Sequence, residues 1–247
     1  MKNSDRFLAA FNSIEIALRK YSDEDTFVPF SRLIQKAFKS EAVINRYYND
    51  LKEFSELRNA IVHNTIDVNA AIAEPHDFVV ERIEFIENEI KQPKRVIPLF
   101  EKTVIKFKSD DTIIDILNTI NEHDFSKFPV YENKKFIGLL TKKEIVNWMA
   151  KHVQDLPSIS YDKILLKDVL SIEPPEEKKK KHKKKQSNHI FVSKHATIYD
   201  VKDIFRKTDN SNSPRVEAIL ITEHGNPSEA LLGIITPWDL IDLDDKI

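Results

Sequence analysis

FIGLLTKKEI, residues 136–145, and LLGIITPWDL, residues 231–240, are two copies of one segment. In each, an apolar run passes through a glycine and ends on a threonine, and an acid follows three positions later. A short apolar run closed by a Thr-x-x-acid signal reads as a strand that feeds a capped helix. A second pair of landmarks precedes the first: DTIIDILNTI at 111–120 matches ATIYDVKDIF at 196–205, with Thr, Ile, Asp and an apolar residue in register. Two matched landmarks in the same order imply a duplicated strand, helix, strand, strand, helix unit. The C-terminal part, 93–247, is therefore predicted to be α/β, with a first repeat at about 95–155 and a second at about 160–247.

Upstream the pattern changes to helical spacing. All three glycines lie beyond residue 137, so the earlier chain lacks the residue that tight strand connections favour. Phe7, Phe11, Ile14 and Leu18 recur at helical intervals, as do Phe30, Leu33, Ile34 and Phe38. Ile44, Tyr47, Tyr48, Leu51, Phe54, Leu57 and Ile61 predict one helix over 41–63. After a break at Pro75, the residues Phe78, Ile83, Ile86 and Ile90 predict a last one. Four such helices in 1–92 predict an antiparallel bundle, joined to the repeats by Gln92-Pro93-Lys94-Arg95. The expected fold class is α plus α/β.

Composition limits the chemistry. With 247 residues, 41% of them apolar and 32% charged, the chain has an ordinary globular balance. The lack of cysteine excludes disulfides, thiol catalysis and Cys-built zinc sites. The opening MKNSDRFLAAF has no apolar run of signal-peptide length, and no later run is long enough to span a membrane, so a cytoplasmic location is expected. There is no Gly-rich phosphate loop, nucleophile elbow or HExxH pair. A Lys-rich insertion at 173–188 contains KKKKHKKK at 178–185. It reads first as a solvated insertion, and otherwise as an electrostatic arm for RNA or a polyphosphate ligand.

The duplicated segments carry a possible ligand chemistry. A carboxylate accepts several hydrogen bonds at once, which suits the vicinal hydroxyls of a ribose, and a threonine hydroxyl can serve sugar or phosphate. Thr236 and Asp239 after Gly233, and Thr141 and Glu144 after Gly138, have that spacing. The same spacing is also a helix-capping box, with Pro237 where a first-turn proline is favoured, and Thr112 to Asp115 and Thr197 to Asp200 repeat it. Together with FSKFPVY at 125–131, these motifs resemble a tandem pair of CBS domains over roughly 95–245. The family's ribose pattern is Gly, apolar, any residue, Thr or Ser, two residues, Asp or Asn. Gly233 to Asp239 fits it fully, and the first copy departs by carrying Glu144. The resemblance implies an adenosine nucleotide as regulatory ligand: AMP, ATP, cyclic di-AMP or S-adenosylmethionine. Trp148 and Trp238, in equivalent helices, read as core or dimer contacts, and Phe100, Phe107 and Phe191 as either packing or an adenine cover.

LRNAIVHN, residues 57–64, poses a separate problem. Arg58 falls near the centre of an apolar helical stripe, and three explanations stand: a pairing with a carboxylate such as Glu15, an interface, or a phosphate-handling site. The run Arg58, Asn59, three residues, His63, late in a bundle's third helix, resembles the HEPN family over about 1–92. Many HEPN domains are metal-independent endoribonucleases that act as dimers, and others are dimerisation or adaptor modules. The resemblance implies that His63 takes the 2′-hydroxyl proton, Arg58 stabilises charge on phosphorus and Asn59 orients histidine or phosphate, with no cofactor for catalysis. Five helical positions turn the chain by about 140°, so a composite site across a homodimer or a higher even oligomer is expected. The sequence favours a nucleotide-responsive ribonuclease. Its alternatives are a non-catalytic nucleotide sensor whose helical part dimerises or docks a partner, and an RNA-binding protein acting through the lysine arm.

Overall fold

A computed structural model describes residues 1–20, 28–63, 65–67, 70–71, 73–154, 160–170, 187–209 and 215–244. The lysine run at 178–185 and the side chain of His63 lie outside the described residues. The chain divides into two units. One comprises Met1–Arg95 with Thr197–Ile204, the other Val96–Ala196 with Phe205–Ile247.

The first unit is a helical bundle. Helix α1 (Asn3–Arg19) buries Phe7, Phe11, Ile14 and Leu18, and α2 (Phe30–Ser40) buries Phe30, Leu33, Ile34 and Ala37, so the expected stripes face the interior except at Phe38, which is exposed and meets the Tyr48 ring edge-on. The single helix expected over 41–63 is broken. Helix α3 (Ala42–Arg46) ends at Tyr47, which leaves helical geometry at φ −105 and ψ 17, and α4 (Tyr48–His63) follows. A short antiparallel pair, β1 (Thr65–Asp67) and β2 (Ala70–Ala71), leads toward α5 (Asp77–Lys91). Helix α5 buries Val80, Ile83, Ile86 and Ile90. Phe78, expected on that stripe, is exposed and stacks on His76, because two residues before Val80 is about 200° around the helix. Helix α1 packs on α2, α4 and α5. Arg6 grips Glu84 of α5 through two bonds of 2.9 and 2.7 Å.

Tyr47, where the helix breaks, takes part in a buried polar contact. Tyr47, Glu89 and Tyr199 are all buried, and a buried phenol needs a hydrogen-bond partner. Tyr199 donates its hydroxyl hydrogen to Glu89 Oε2, so the 2.9 Å contact between the two hydroxyls has Tyr47 as donor. Burial, and secondly the bond to Glu89, push the Tyr199 pKa far up and keep the phenol neutral.

The second unit holds most of the duplicated α/β structure. After a turn, α6 (Val96–Leu99), the first repeat runs β3 (Phe107–Lys108), α7 (Ile113–His123), β4 (Lys127–Glu132), β5 (Lys135–Thr141) and α8 (Lys142–Lys151). Helix α9 (Leu166–Leu170) precedes the second repeat, β6 (His189–Ser193), α10 (Ile198–Asp209), β7 (Ala218–Thr222), β8 (Gly233–Ile235) and α11 (Pro237–Asp244). Each repeat forms a three-stranded sheet, β3-β4-β5 or β6-β7-β8, whose first pair is parallel and second antiparallel. The duplication read from the two landmarks is therefore present strand for strand.

Alternation along β5 separates two cores. Leu140 joins Phe107, Ile113, Ile116, Phe128 and Trp148 of its own repeat, whereas Leu139 packs with Ala218, Leu220 and Leu231 of the other. Successive strand residues face opposite ways, so one face of the sheet takes its helices and the other takes the second repeat. Strand β7, AILIT, is buried at all five positions, as a strand covered on both faces must be.

Candidate functional site

Both candidate acids are helix caps first. Asp239 Oδ2 accepts from the Thr236 backbone N–H and from Thr236 Oγ1, each at 2.7 Å. Glu144 Oε2 accepts from the Thr141 N–H at 2.7 Å, and Thr141 Oγ1 accepts from the Glu144 N–H at 3.3 Å. Thr112 with Asp115, and Thr197 with Asp200, cap in the same way at 2.7 and 2.8 Å. Capping thus occupies one oxygen at each of the four positions. The other oxygen distinguishes the two candidates.

In the second repeat, Asp239 Oδ1 faces the Lys102 ammonium at 3.5 Å. The segment before β3 brings Lys102 there by backbone pairing, since its N–H donates to Leu232 O at 3.1 Å. Phe100 O comes so close to β8 that a Cβ on Gly233 would lie 2.2 Å from it. Gly233, the first position of the Gly-to-acid pattern, therefore admits the chain's own backbone. Thr236 is partly buried, and the Lys102 and Asp239 side chains are 44% and 28% exposed, so a solute can reach Oδ1. Trp238 is 76% exposed and contributes nothing to the core.

In the first repeat, Glu144 Oε1 accepts from Asn188 Nδ2 at 2.8 Å, and the same amide donates to Leu139 O at 3.1 Å. Burial raises the Glu144 pKa, and nearby Glu217 adds to the rise against its own caps. Glu217 pairs with Lys127 at 2.9 Å. Beside Asn188 the His189 ring lies among Phe136 and Phe191, and burial pushes its pKa down to about 4. His189 Nδ1 donates to Asn188 Oδ1 at 3.0 Å. A Cβ on Gly138 would meet only the side-chain tip of Leu170, at 3.1 Å, and a leucine can turn that tip away.

The sequence did not mark Lys102, Asn188 and Glu217 as neighbours of the two acids. They reach the two acids through pairing across the repeats, and no local motif marks such contacts. Of the aromatic candidates, Phe107 packs edge-on to Phe128 in the core, Phe100 is buried, and Phe191 is half-buried against Phe136. In the helical unit Arg58 is half-buried and Asn59 exposed, and Arg58 Nη1 reaches Asn59 Oδ1 at 3.4 Å. Glu15, one carboxylate considered for Arg58, pairs with Arg19 at 2.5 Å. Among the described residues no cluster of His, Cys, Asp or Glu fits a metal ion, and no helix is long and apolar enough to cross a membrane.

Residues 98–151 and 185–246 match the CBS domain family model. Solved structures with similarity to the chain include the CBS domain of a CBS domain containing membrane protein from Sphaerobacter thermophilus. It is 16% identical, with 62% of this chain and 88% of that chain covered at a TM-score of 0.41. An uncharacterized conserved protein from Pyrococcus horikoshii is 17% identical over 62% of this chain and 92% of its own, with a TM-score of 0.42. CBSX2, solved in complex with AMP, is 14% identical over 62% of this chain and 97% of its own, with a TM-score of 0.41.

Proposed function

We propose that the two CBS-domain repeats sense an adenosine nucleotide, and that Asp239 is the residue that takes its ribose. One observation carries this reading: Asp239 uses one oxygen for its helix cap and presents the other, Oδ1, to a solvent-accessible lysine. A carboxylate oxygen has two acceptor sites, enough for two adjacent hydroxyls. Thr236 fixes the carboxylate, and Gly233 seats the segment that carries Lys102. The nucleotide is drawn from AMP, ATP, cyclic di-AMP and S-adenosylmethionine. Titration calorimetry with each, on the native chain and on Asp239→Ala, tests the site. Removing a charged hydrogen-bond acceptor should weaken binding by about 1.5–3 kcal/mol. An unaffected variant would move the ligand elsewhere.

The reading includes a homodimer, for which the exposed apolar residues of α8 and α11 supply a surface. A ribonuclease activity of the helical unit is the second reading. It is favoured by the half-buried Arg58 and exposed Asn59 in contact on α4, the helix that ends at His63. Single-stranded RNA should then be cut in EDTA to 2′,3′-cyclic phosphate ends, and Arg58→Ala or His63→Ala should abolish cutting. Intact RNA under every nucleotide condition would leave the bundle as a dimerisation or docking element.

A further inference from the structure

The two sites are duplicates whose surroundings differ in charge. Thr112 and Thr197 are equivalent, an offset of 85, and the strand pairing agrees: Phe107 lies opposite Val130 as Val192 lies opposite Ile221. The same offset maps Lys102 onto Ser187. At the acid of the second repeat stands an ammonium group, 3.5 Å from Asp239 Oδ1. At the acid of the first repeat stands a neutral amide, Asn188, 2.8 Å from Glu144 Oε1. A second carboxylate, Glu217, also acts on Glu144 there, and its lysine, Lys127, is already paired with it at 2.9 Å.

We infer that Lys102 makes the second-repeat site selective for phosphorylated adenosine compounds, exchanging its contact with Asp239 for one with the ligand phosphate. The inference rests on the nucleotide-sensing reading and adds the class of ligand. Without a ligand, Lys102 neutralises Asp239 Oδ1. A ribose that takes Oδ1 displaces the ammonium, and a displaced charge is stable only if it finds another anion or returns to water. The flexible four-carbon stem lets the ammonium follow a phosphate attached to that ribose. A 3.5 Å ion pair with a half-exposed lysine is weak enough for such an exchange. Adenosine offers no anion in return, and S-adenosylmethionine brings a cationic sulfonium beside a lysine. In the first repeat the position equivalent to Lys102 carries a hydroxyl, and the lysine that acts on Glu144 among the described residues, Lys127, already serves Glu217.

The test is titration calorimetry of the full chain with AMP, adenosine and S-adenosylmethionine, at low and high salt. The native chain should bind AMP at least about tenfold more tightly than adenosine, the scale of one charged hydrogen bond. Lys102→Ala should collapse that preference by weakening AMP and sparing adenosine, and should flatten the salt dependence of AMP binding. Lys102→Arg should keep the preference. An AMP-to-adenosine ratio unchanged in Lys102→Ala overturns the inference while the Asp239 site stands. No heat from any of the three compounds overturns the inference, and if ATP and cyclic di-AMP also give none the nucleotide reading falls with it. Circular dichroism of each variant guards against misfolding, and Lys102→Arg supplies the folded comparison if the alanine variant fails it.

Discussion

A methyl group at position 233 would sit 2.2 Å from Phe100 O, inside the contact distance of any two atoms, and backbone cannot step aside as a side chain can. Gly233→Ala should therefore cost about 1–3 kcal/mol in urea unfolding, the usual range for overpacking, and should weaken nucleotide binding by shifting Lys102. Gly138→Ala meets only Leu170 Cδ2 at 3.1 Å and should cost under about 1 kcal/mol. Equal losses would show that both glycines do the same work. His189 gives a pH prediction. Its folded pKa is down at about 4, against an unfolded value near 6.5, so the unfolded chain takes up the proton first on acidification. The stability this neutral ring contributes is present above pH 6.5 and is lost as pH falls toward 4. The full shift corresponds to about 3 kcal/mol, and about 1–2 kcal/mol after allowing for the ring's partial exposure. Glu144 acts in the opposite direction, because its raised pKa costs stability as pH rises above the ordinary carboxylate value. Melting at pH 7 and pH 5 should show a drop in the native chain that His189→Gln largely removes. At this scale the sequence disclosed the acids and their threonines as helix caps, but not the contacts of Lys102 or Asn188 with them, since those are made between residues 137 and 44 positions apart.

Elements were legible where one periodicity ran unbroken. The stripes of α1 and α2, and all four capping boxes, were readable because each depends on residues within a turn or two. The split between α3 and α4 was not, because the apolar spacing from Ile44 to Ile61 suits one continuous helix, and Tyr47, where it breaks, is in contact with a residue far along the chain, Tyr199. Helices α7 and α10 show how duplication diverges. Ile114 and Tyr199 are equivalent by the offset of 85, yet Ile114 is exposed and Tyr199 is buried in the helical unit with its two partners. Tyr199→Phe removes the hydroxyl that serves both Glu89 and Tyr47, and leaving buried groups unpaired costs about 1–3 kcal/mol. Ile114→Ala, at an exposed position, should change stability by less than about 1 kcal/mol. Thermal melts of the two variants check the contrast, and a neutral Tyr199→Phe would make the buried contact energetically idle.

At the scale of the whole molecule, the duplicated helices leave matching apolar residues in water. The Gly138 to Gly233 offset of 95 maps Val146 of α8 onto Ile241 of α11, and the two are 61% and 55% exposed, with Trp238 beside Ile241 on the same short helix and more exposed still. In a chain with 32% charged residues, an apolar residue kept outward at the same place in both copies is a simple basis for self-association. A pair of equivalent patches presented by one chain is suited to a second copy related by a two-fold axis, because each patch then meets its duplicate. Light scattering at micromolar concentration should give twice 28.8 kDa. Val146→Asp combined with Ile241→Asp should return the mass to 28.8 kDa with the circular dichroism unchanged, since neither side chain serves the core. A native chain that is already monomeric, or a double variant that stays dimeric, removes these helices as the interface. The monomeric outcome reaches further: with about 140° between Arg58 and His63 on one helix, a ribonuclease site requires a second chain, whereas Asp239 and Lys102 meet within one. The mass measurement therefore separates the two activities, because nucleotide sensing survives a monomer and composite RNA cleavage does not.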